Sequence, residues 1–365
     1  MLRIAYPKWS VETVSVNGNS AGVLDTVSAL QPVRIEGVVR DLSGQVATDF
    51  NGLVYVTMYD KEAQLTTANS DGQGAVPFTL RNSVIFNGQT TVENGRFTVD
   101  FIIPRDIAYS YGKGMISYYA TNYEVDANGK FEDFIIGGFY DDAEEDDTPP
   151  AIRLYIDDEY FVSGGLTGEN PLLLAYVEDG SGINTTGAGI GHDIVATLTG
   201  ADNVSYILND YFVSEPNRPG KGVIAYKMLD LPEGNYTLTL KVWDIYNNSN
   251  TATIDFTVVN SGTMKIDNVF NKPNPVTDCT YFTFDHNQIG NKMDVQIDIY
   301  DIMGRLVARL SRTVMGASTR EEPITWDGNA SNGSRLSNGV YIYRIIATND
   351  KGETSVVSSK LILCK

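Results

Sequence analysis

Cysteine, histidine and long apolar runs are scarce in this 365-residue sequence. The two cysteines, Cys279 and Cys364, form no CxxC pair, which argues against a disulfide framework, a zinc site or a redox site. Whether they pair with each other stays open, and two separate thiols are favoured. No stretch approaches the roughly 20 continuous apolar residues that a membrane helix needs. We therefore expect no transmembrane segment.

Basic residues are also few. The sequence has 27 Lys and Arg against 46 Asp and Glu, giving a net charge of −19. Such a charge repels the phosphates of nucleic acid and the anionic surface of a bilayer. We expect no nucleic-acid partner, although an acidic balance also serves solubility alone.

Catalytic residues are hard to assemble from two histidines, His192 and His286, which fall in different predicted domains. A nucleophilic dyad within one domain would have to join Cys279 to His286, and a spacing of seven puts the two side chains on opposite faces of a strand. A site built on His192 and Asp193 is a remote alternative. We predict that this chain is not an enzyme and holds no catalytic residue.

Alternation of apolar and polar residues dominates the sequence, and Asn-Gly and Asp-Gly pairs punctuate it at short intervals. Segments such as FTVDFIIP, YTLTLKVWD and DVQIDIY predict half-buried antiparallel strands. No window keeps a helical period. The fold class is predicted to be all-β, with three consecutive Ig-like β-sandwich domains over 1–146, 147–262 and 263–365.

The first domain boundary lies in DDAEEDDTPP, residues 141–150, where six carboxylates fall within seven residues and two prolines follow. Charge repulsion and fixed φ angles predict a solvated linker. A calcium site over 141–147 is the alternative reading, although the run lacks the Gly and Asn of a wrapped loop. Otherwise we expect no cofactor and no metal. The second boundary is placed in VVNSGTMKIDN, with the last domain starting near Met264.

The segment EDGSGINTTGAGIGHDI is a glycine-rich loop between two strand-like runs. Its candidate polar contacts are Asp179, Asn184, His192 and Asp193. A partner could approach the backbone closely there. The favoured interpretation is that the loop folds over its own sandwich edge, with His192 bonded to Asp193 or to a backbone carbonyl.

Several segments together resemble the gingipain-like sortases of the type IX secretion system: LRIAYPKW, FEDFIIGG, FVSGG, DGSGINTTGAGIGHDIVATL, LNDYF and KVWDIYNNSN. The last domain is also similar to the flagellar hook-capping Ig-like fold and to type IX C-terminal domains, through KPNPVTD, IYDIMGRLV, ITWDG, SNGVYIYRI and SSKLIL. The resemblance covers essentially the whole chain. LRIAYPKW directly after Met1 reads as the continuation of a folded protein, so we expect Met1 to be an added start.

The resemblance implies a parent cysteine endopeptidase that cleaves C-terminal signals from cargo at the outer-membrane surface of a Bacteroidetes-type bacterium. The family's catalytic Cys and His belong to an upstream peptidase domain and match no position here. The chain would then dock and position that peptidase, with the upstream domain and an outer-membrane shuttle or translocon protein as partners. The candidate docking residues are Asn338, Gly339, Val340, Tyr341, Ile342, Tyr343, Arg344, Ser359, Lys360, Leu361, Ile362 and Leu363.

An alternative reading is a surface carbohydrate-binding or adhesin-type protein that ends in the same sorting domain. The 21 tyrosines could form binding platforms, but in β-rich proteins they more often occupy strand faces. A solvent-exposed Tyr or Trp platform on either of the first two domains would favour this alternative.

Overall fold

The computed structural model describes residues 9–21, 24–68, 70, 72, 74–186, 191–200, 203–259, 264–288, 290–316, 320 and 323–364. Within this part the chain is almost entirely β-strand, and its strands fall into three sets that each enclose a separate apolar core. The prediction of an all-β chain of sandwich domains is confirmed. The one helix among the described residues is the 3-10 turn Asn209–Tyr211. No helix there has the length and apolarity to cross a membrane.

The first domain has one large curved sheet of order β8-β5-β11-β12-β1-β4-β9, with β2 beside β1, a small sheet β10-β13-β3, and a separate hairpin β6-β7. Its strands are β1 Trp9–Val16, β2 Asn19–Ser20, β3 Asp25–Ala29, β4 Pro32–Arg40, β5 Gly52–Tyr59, β6 Ala63–Thr66, β7 Pro77–Leu80, β8 Val84–Val92, β9 Arg96–Ile102, β10 Gly112–Lys113, β11 Met115–Thr121, β12 Asp126–Phe131 and β13 Phe134–Phe139.

The second domain packs a four-stranded sheet, β14-β16-β20-β19, against a five-stranded sheet, β15-β22-β21-β17-β18. Its strands are β14 Ala151–Ile156, β15 Gly165–Thr167, β16 Leu172–Glu178, β17 Val195–Thr199, β18 Val204–Ile207, β19 Phe212–Glu215, β20 Arg218–Lys227, β21 Gly234–Trp243 and β22 Ser249–Val258.

The third domain packs the sheet β23-β24-β27 against the sheet β26-β25-β28-β29. Its strands are β23 Ile266–Lys272, β24 Thr280–His286, β25 Lys292–Tyr300, β26 Leu306–Met315, β27 Ile324–Trp326, β28 Gly339–Asn349 and β29 Thr354–Leu363. The predicted second boundary falls partly on residues 260–263, which lie outside the described residues.

Alternation places the cores as the sequence predicted. The inward residues of the three quoted segments are all buried, namely Phe97, Val99, Phe101, Ile103, Tyr236, Leu238, Leu240, Val242, Val295, Ile297 and Ile299. All but Ile103, which directly follows β9, lie in strands that have one face on a core and polar residues on the other. At about 25 cal/mol per Å² of apolar area removed from water, such rows supply most of the stability of each domain.

Candidate functional site

The first and second domains meet at a junction centred on Asp106, which lies in the loop after β9. Its carboxylate accepts hydrogen bonds from three side chains of the second domain. Asn184 Nδ2 lies 3.1 Å from Oδ2 and Asn247 Nδ2 lies 2.8 Å from Oδ1. His192 Nδ1 lies 2.6 Å from Oδ2. One acidic side chain therefore ties two segments of the neighbouring domain through three hydrogen bonds.

Apolar contacts continue the same junction. Ile245 and Tyr246 of the second domain form a buried cluster with Leu30 of the first, and Ile102 and Ala143 pack against it. The Arg105 backbone N–H also donates to the Ile245 carbonyl, at 2.9 Å. A second seam lies at β8, where Gln89 Nε2 donates to the Ser214 carbonyl at 2.5 Å and the Thr91 N–H donates to Asn217 Oδ1 at 2.9 Å.

The linker was predicted to be freely solvated, but the structure holds parts of it against the folded domains. Ala143 packs into the junction cluster, and the Asp146 carbonyl accepts from Asn248 Nδ2 at 2.7 Å. The Pro150 carbonyl accepts from Asn250 Nδ2 at 2.8 Å. Three anchors therefore hold the acidic segment along the second domain, although Asp141, Asp142, Glu144, Glu145 and Asp147 remain exposed.

Three carboxylates from separate segments meet beside these anchors. One oxygen from each of Asp146, Asp179 and Asp244 lies within 4.8 Å of the others. Asp244 is fully buried, and Asp179 nearly so. Burial raises the pKa of both the Asp179 and the Asp244 carboxyl, and each is raised further by a neighbouring carboxylate. Hydrogen bonds from Ser181 and Thr148 lower the pKa of Asp146.

Backbone turns fix the two buried carboxylates. Asp179 Oδ1 accepts the N–H groups of Ser181 and Gly182, and Asp244 Oδ1 accepts those of Tyr246 and Asn248. Converging carboxylate oxygens are the ligands that Ca²⁺ prefers, so these three residues are the ones that could hold a divalent cation. Of the segment 141–147 for which calcium was considered, Asp146 alone belongs to the group. Calcium binding stays a prediction.

The glycine-rich loop contacts both its own sandwich, through the Asn184 N–H to the Trp243 carbonyl at 2.9 Å, and the first domain. Asn184 is buried and donates to Asp106. His192 also bonds to Asp106, and its ring centroid lies 4.3 Å from that of Trp243, with the planes tilted by 49°. Asp193 accepts from Asn209 Nδ2 at 2.9 Å. The favoured interpretation was therefore wrong about the partner of His192, which belongs to the first domain. Residues 187–190 of the loop lie outside the described residues.

The candidate docking hairpin of the third domain divides by face. Within β28 and β29, Tyr341, Tyr343, Leu361 and Leu363 point into the core. Because strand residues alternate, only the intervening side chains can meet a partner. The exposed members of the candidate set within these strands are Gly339, Val340, Ile342, Arg344, Lys360 and Ile362.

Outward apolar side chains form a continuous patch on this sheet. Val340 lies opposite Ile362, and Ile342 lies opposite Tyr300, whose other neighbour is Leu306. We call Leu306, Val340, Ile342 and Ile362 the docking face. Sequence reasoning missed Leu306, and it also missed Ile302 and Met303 in the adjoining turn, each 78% exposed. The signal in the sequence was the apolar pair Ile302 and Met303 within the quoted segment IYDIMGRLV. Apolar side chains in a turn have no core to pack into, so their exposure was predictable.

The remaining candidate groups stay apart. Cys279 and Cys364 are free thiols, so they form no disulfide. His286 is buried in β24. Among the described residues, His192 contacts Asp106 of the first domain and Trp243 of the second, at the junction between the two domains.

A comparison with known protein families finds a match for the third domain. Residues 268–363 match the family described as the secretion system C-terminal sorting domain. The third domain is a sorting domain of this family. The prediction of a type IX C-terminal domain is confirmed, and the chain is a type IX secretion-related protein.

The whole chain is similar to PorU from Porphyromonas gingivalis, in its crystal structure as a dimeric latent form. The two sequences are 31% identical over 99% of this chain, which covers 34% of that chain, with a TM-score of 0.44. The predicted similarity to PorU is found as sequence identity, and the sorting-domain match lies at the C-terminal end of this chain. Because this chain spans about one third of PorU, the activity and partners of the whole protein are matters for proposal.

Two adhesin structures also align with nearly the whole of this chain, but at low sequence identity. A 1.5-MDa bacterial ice-binding adhesin is 12% identical over 99% of this chain and 98% of that chain, with a TM-score of 0.21. A tetra-tandem repeat from the extending region of a large adhesion protein is 15% identical over 98% of this chain and 74% of that chain, also with a TM-score of 0.21. These likenesses carry no functional argument. No curated protein matches the chain.

Proposed function

We propose that this chain is the non-catalytic C-terminal region of a type IX sortase at the bacterial surface. In this proposal the first two domains act as one spacer and the third domain docks the protein at the outer membrane. The observation that carries the proposal is the 31% identity with PorU over 99% of this chain. The sorting domain at residues 268–363 supports it independently.

The junction supports the spacer role. Asp106 and the apolar cluster around Ile245 join the first domain to the second at several points. Interfaces that combine buried apolar contacts with satisfied polar groups restrict domain motion. A peptidase upstream of such a unit would be held at a fixed distance from the third domain.

The docking face supports the docking role. Its four apolar side chains lie on one sheet surface, where Arg344 and Lys360 add two exposed cations. Contiguous exposed apolar side chains on a folded domain mark interaction sites. The proposed partner is the shuttle or translocon protein of the type IX system.

Charge placed in the docking face tests this role. The full chain carrying Ile342→Asp should lose co-purification with the outer-membrane partner by tenfold or more, because a buried unpaired carboxylate is costly at an interface. Val356→Asp is the matched control, since Val356 is exposed on the same face but near the other end of β28 and β29. Equal retention of the partner by both variants would refute docking through this face, and an unchanged yield after deletion of 264–365 would refute docking by the third domain.

Peptidase activity would belong to the upstream domain in this proposal. The purified chain should therefore leave a C-terminal sorting peptide intact, whereas the parent protein should cleave it. Cleavage by the chain alone that is lost in His192→Ala, with folding unchanged, would contradict the proposal.

A further inference from the structure

Two tyrosines stand side by side on the outer surface of the large sheet of the first domain. Tyr55 on β5 and Tyr119 on β11 are directly opposite each other in the strand register. They are 39% and 43% exposed. Their ring centroids are 6.1 Å apart and the ring planes differ by 33°. The rings therefore form neither a face-to-face stack nor an edge-to-face pair, but a broad aromatic surface.

One of the two tyrosines has an acidic side chain beside it on the next strand. Hydrogen bonding to Asp126 and the charge of that carboxylate raise the pKa of the Tyr119 hydroxyl. Asp126 lies on β12, two residues from Asn128, which is the register partner of Tyr119. Asp126 is therefore the diagonal neighbour of Tyr119 on the adjacent strand.

Uncharged polar residues surround the pair. In the same row across the sheet, Tyr55 is flanked by Gln89, and Tyr119 by Asn128. The next row holds Asn87, Thr57, Ser117 and Lys130. The charged neighbours, Lys130 in that row and Asp126 on the other side of Asn128, both lie on β12 and not between the two tyrosines. Gln89 also contacts Ser214, so the second domain borders the surface on the β8 side.

We propose that Tyr55 and Tyr119 are the centre of a binding site for a neutral glycan chain. The apolar C–H faces of pyranose rings stack on exposed aromatic rings, and their hydroxyls exchange hydrogen bonds with amide and hydroxyl side chains. A Tyr pair ringed by Asn, Gln, Thr and Ser supplies both contacts, since tyrosine presents a rigid apolar body with a polar tip. The uncharged centre disfavours nucleic acid and anionic polymers. This site does not rest on the function proposed above.

Affinity electrophoresis of the full chain tests the site, with gels containing hydroxyethylcellulose, xyloglucan, laminarin, mannan or dextran as the neutral probes. At least one probe should retard the native chain. Tyr55→Ala and Tyr119→Ala should each weaken that binding tenfold or more, whereas Tyr55→Phe should keep most of it because the ring remains. Tyr160→Ala is the matched control, since Tyr160 is an exposed tyrosine of the second domain.

Three results would overturn the proposal. The first is no retardation by any of the five probes. The second is retardation that persists in the Tyr55→Ala/Tyr119→Ala double variant, which would place the glycan elsewhere. The third is a dimer in sedimentation experiments that disappears in the same double variant, which would assign the surface to a second copy of the chain. Circular dichroism of each variant checks folding, which two exposed side chains should not disturb.

Discussion

At the residue scale, the Asp106 carboxylate joins the first domain to the second through three hydrogen bonds. It satisfies Asn184, His192 and Asn247, which come from two separate segments of the second domain. Carboxylate acceptors form stronger hydrogen bonds than neutral ones. Removing the acceptor would leave all three donors facing a partly buried space.

Asp106→Ala should therefore destabilise the first two domains by about 2 kcal/mol, the usual cost of stranding buried donors. Urea unfolding followed by tryptophan fluorescence measures this, because Trp243 is in ring contact with His192. Asp100→Ala is the control, since Asp100 pairs with Arg34 at an exposed site where ion pairs contribute about 0–1 kcal/mol. Equal losses in the two variants would contradict the role given to Asp106.

Asp179 and Asp244 predict a pH dependence with a definite sign. Burial raises the pKa of each carboxyl in the folded state above the unfolded value of about 4. Their contribution to stability is then fully present below the unfolded pKa and is lost as the pH rises through the folded pKa. Other carboxyls, such as Asp146, have lowered pKa values and act in the opposite direction.

The difference between native chain and variant isolates this effect. In EDTA, Asp179→Asn should gain stability relative to the native chain as the pH is raised from 4 to 7, because the amide cannot ionise. Chemical unfolding at each pH gives the free energies to compare. A difference that stays constant with pH would show that Asp179 does not titrate with a raised pKa.

The residues of the junction show what sequence reasoning could and could not find. Asn184 and His192 were singled out because polar residues in a glycine-rich loop suggest a partner. Asp106 lies 78 residues from Asn184 and 86 from His192, in an unremarked turn. No local pattern encodes a contact across two domains, so the partner could not be predicted.

At the scale of elements, the linker and the Ile245 turn depend on each other. Ile245, Tyr246 and Leu30 form the cluster on which Ala143 packs. Carboxylate repulsion within residues 141–147 opposes a compact linker, and the apolar cluster and the Asn248 and Asn250 hydrogen bonds oppose that repulsion. Composition alone predicted a freely solvated segment, because it shows the repulsion between carboxylates but not the contacts that oppose this repulsion.

Limited proteolysis with a glutamate-specific protease tests the docked linker. Glu144 and Glu145 are exposed, yet cleavage requires several residues of chain to leave the surface. The native chain should resist cutting there, and Ile245→Ala should speed it at least tenfold by loosening the cluster. Ile207→Ala, at an exposed strand position, is the control. Equal cutting of the native chain and Ile245→Ala would show that the cluster does not hold the linker.

Calcium binding by Asp146, Asp179 and Asp244 is the prediction that links linker and second domain. At a calcium concentration 100 times the Kd, binding to the folded state alone adds about 2.7 kcal/mol of stability. Thermal unfolding with calcium and with EDTA measures the shift. Asp146→Asn should abolish it, whereas Asp142→Asn, outside the carboxylate group, should not. An unchanged melting temperature in the native chain would exclude the site.

Strand positions were predictable where one face is buried, as in β9, β21 and β25. The docking hairpin was predicted as a segment, but the structure assigns Tyr341 and Tyr343 to the core and Val340 and Ile342 to the surface. Period-2 alternation would have made the same division. Leu306 could not be added from alternation alone, because its place beside Tyr300 depends on the register of two strands.

At the scale of the whole molecule, the proposed function assigns spacing to the first two domains and docking to the third. Polar and apolar contacts couple the first two domains, and the third carries the sorting-domain match. The glycan surface lies on the first domain, away from the third. The similarity to PorU extends over 99% of this chain, and the sorting-domain match covers residues 268–363.

The mass and location of the native protein test the central claim most directly. An antibody raised against this chain should detect, in fractionated cells, an outer-membrane band far larger than 40.0 kDa, since the chain covers 34% of PorU. Such a band would be the sortase to which this region belongs. A band near 40.0 kDa would instead indicate a free-standing binding protein and would contradict the account.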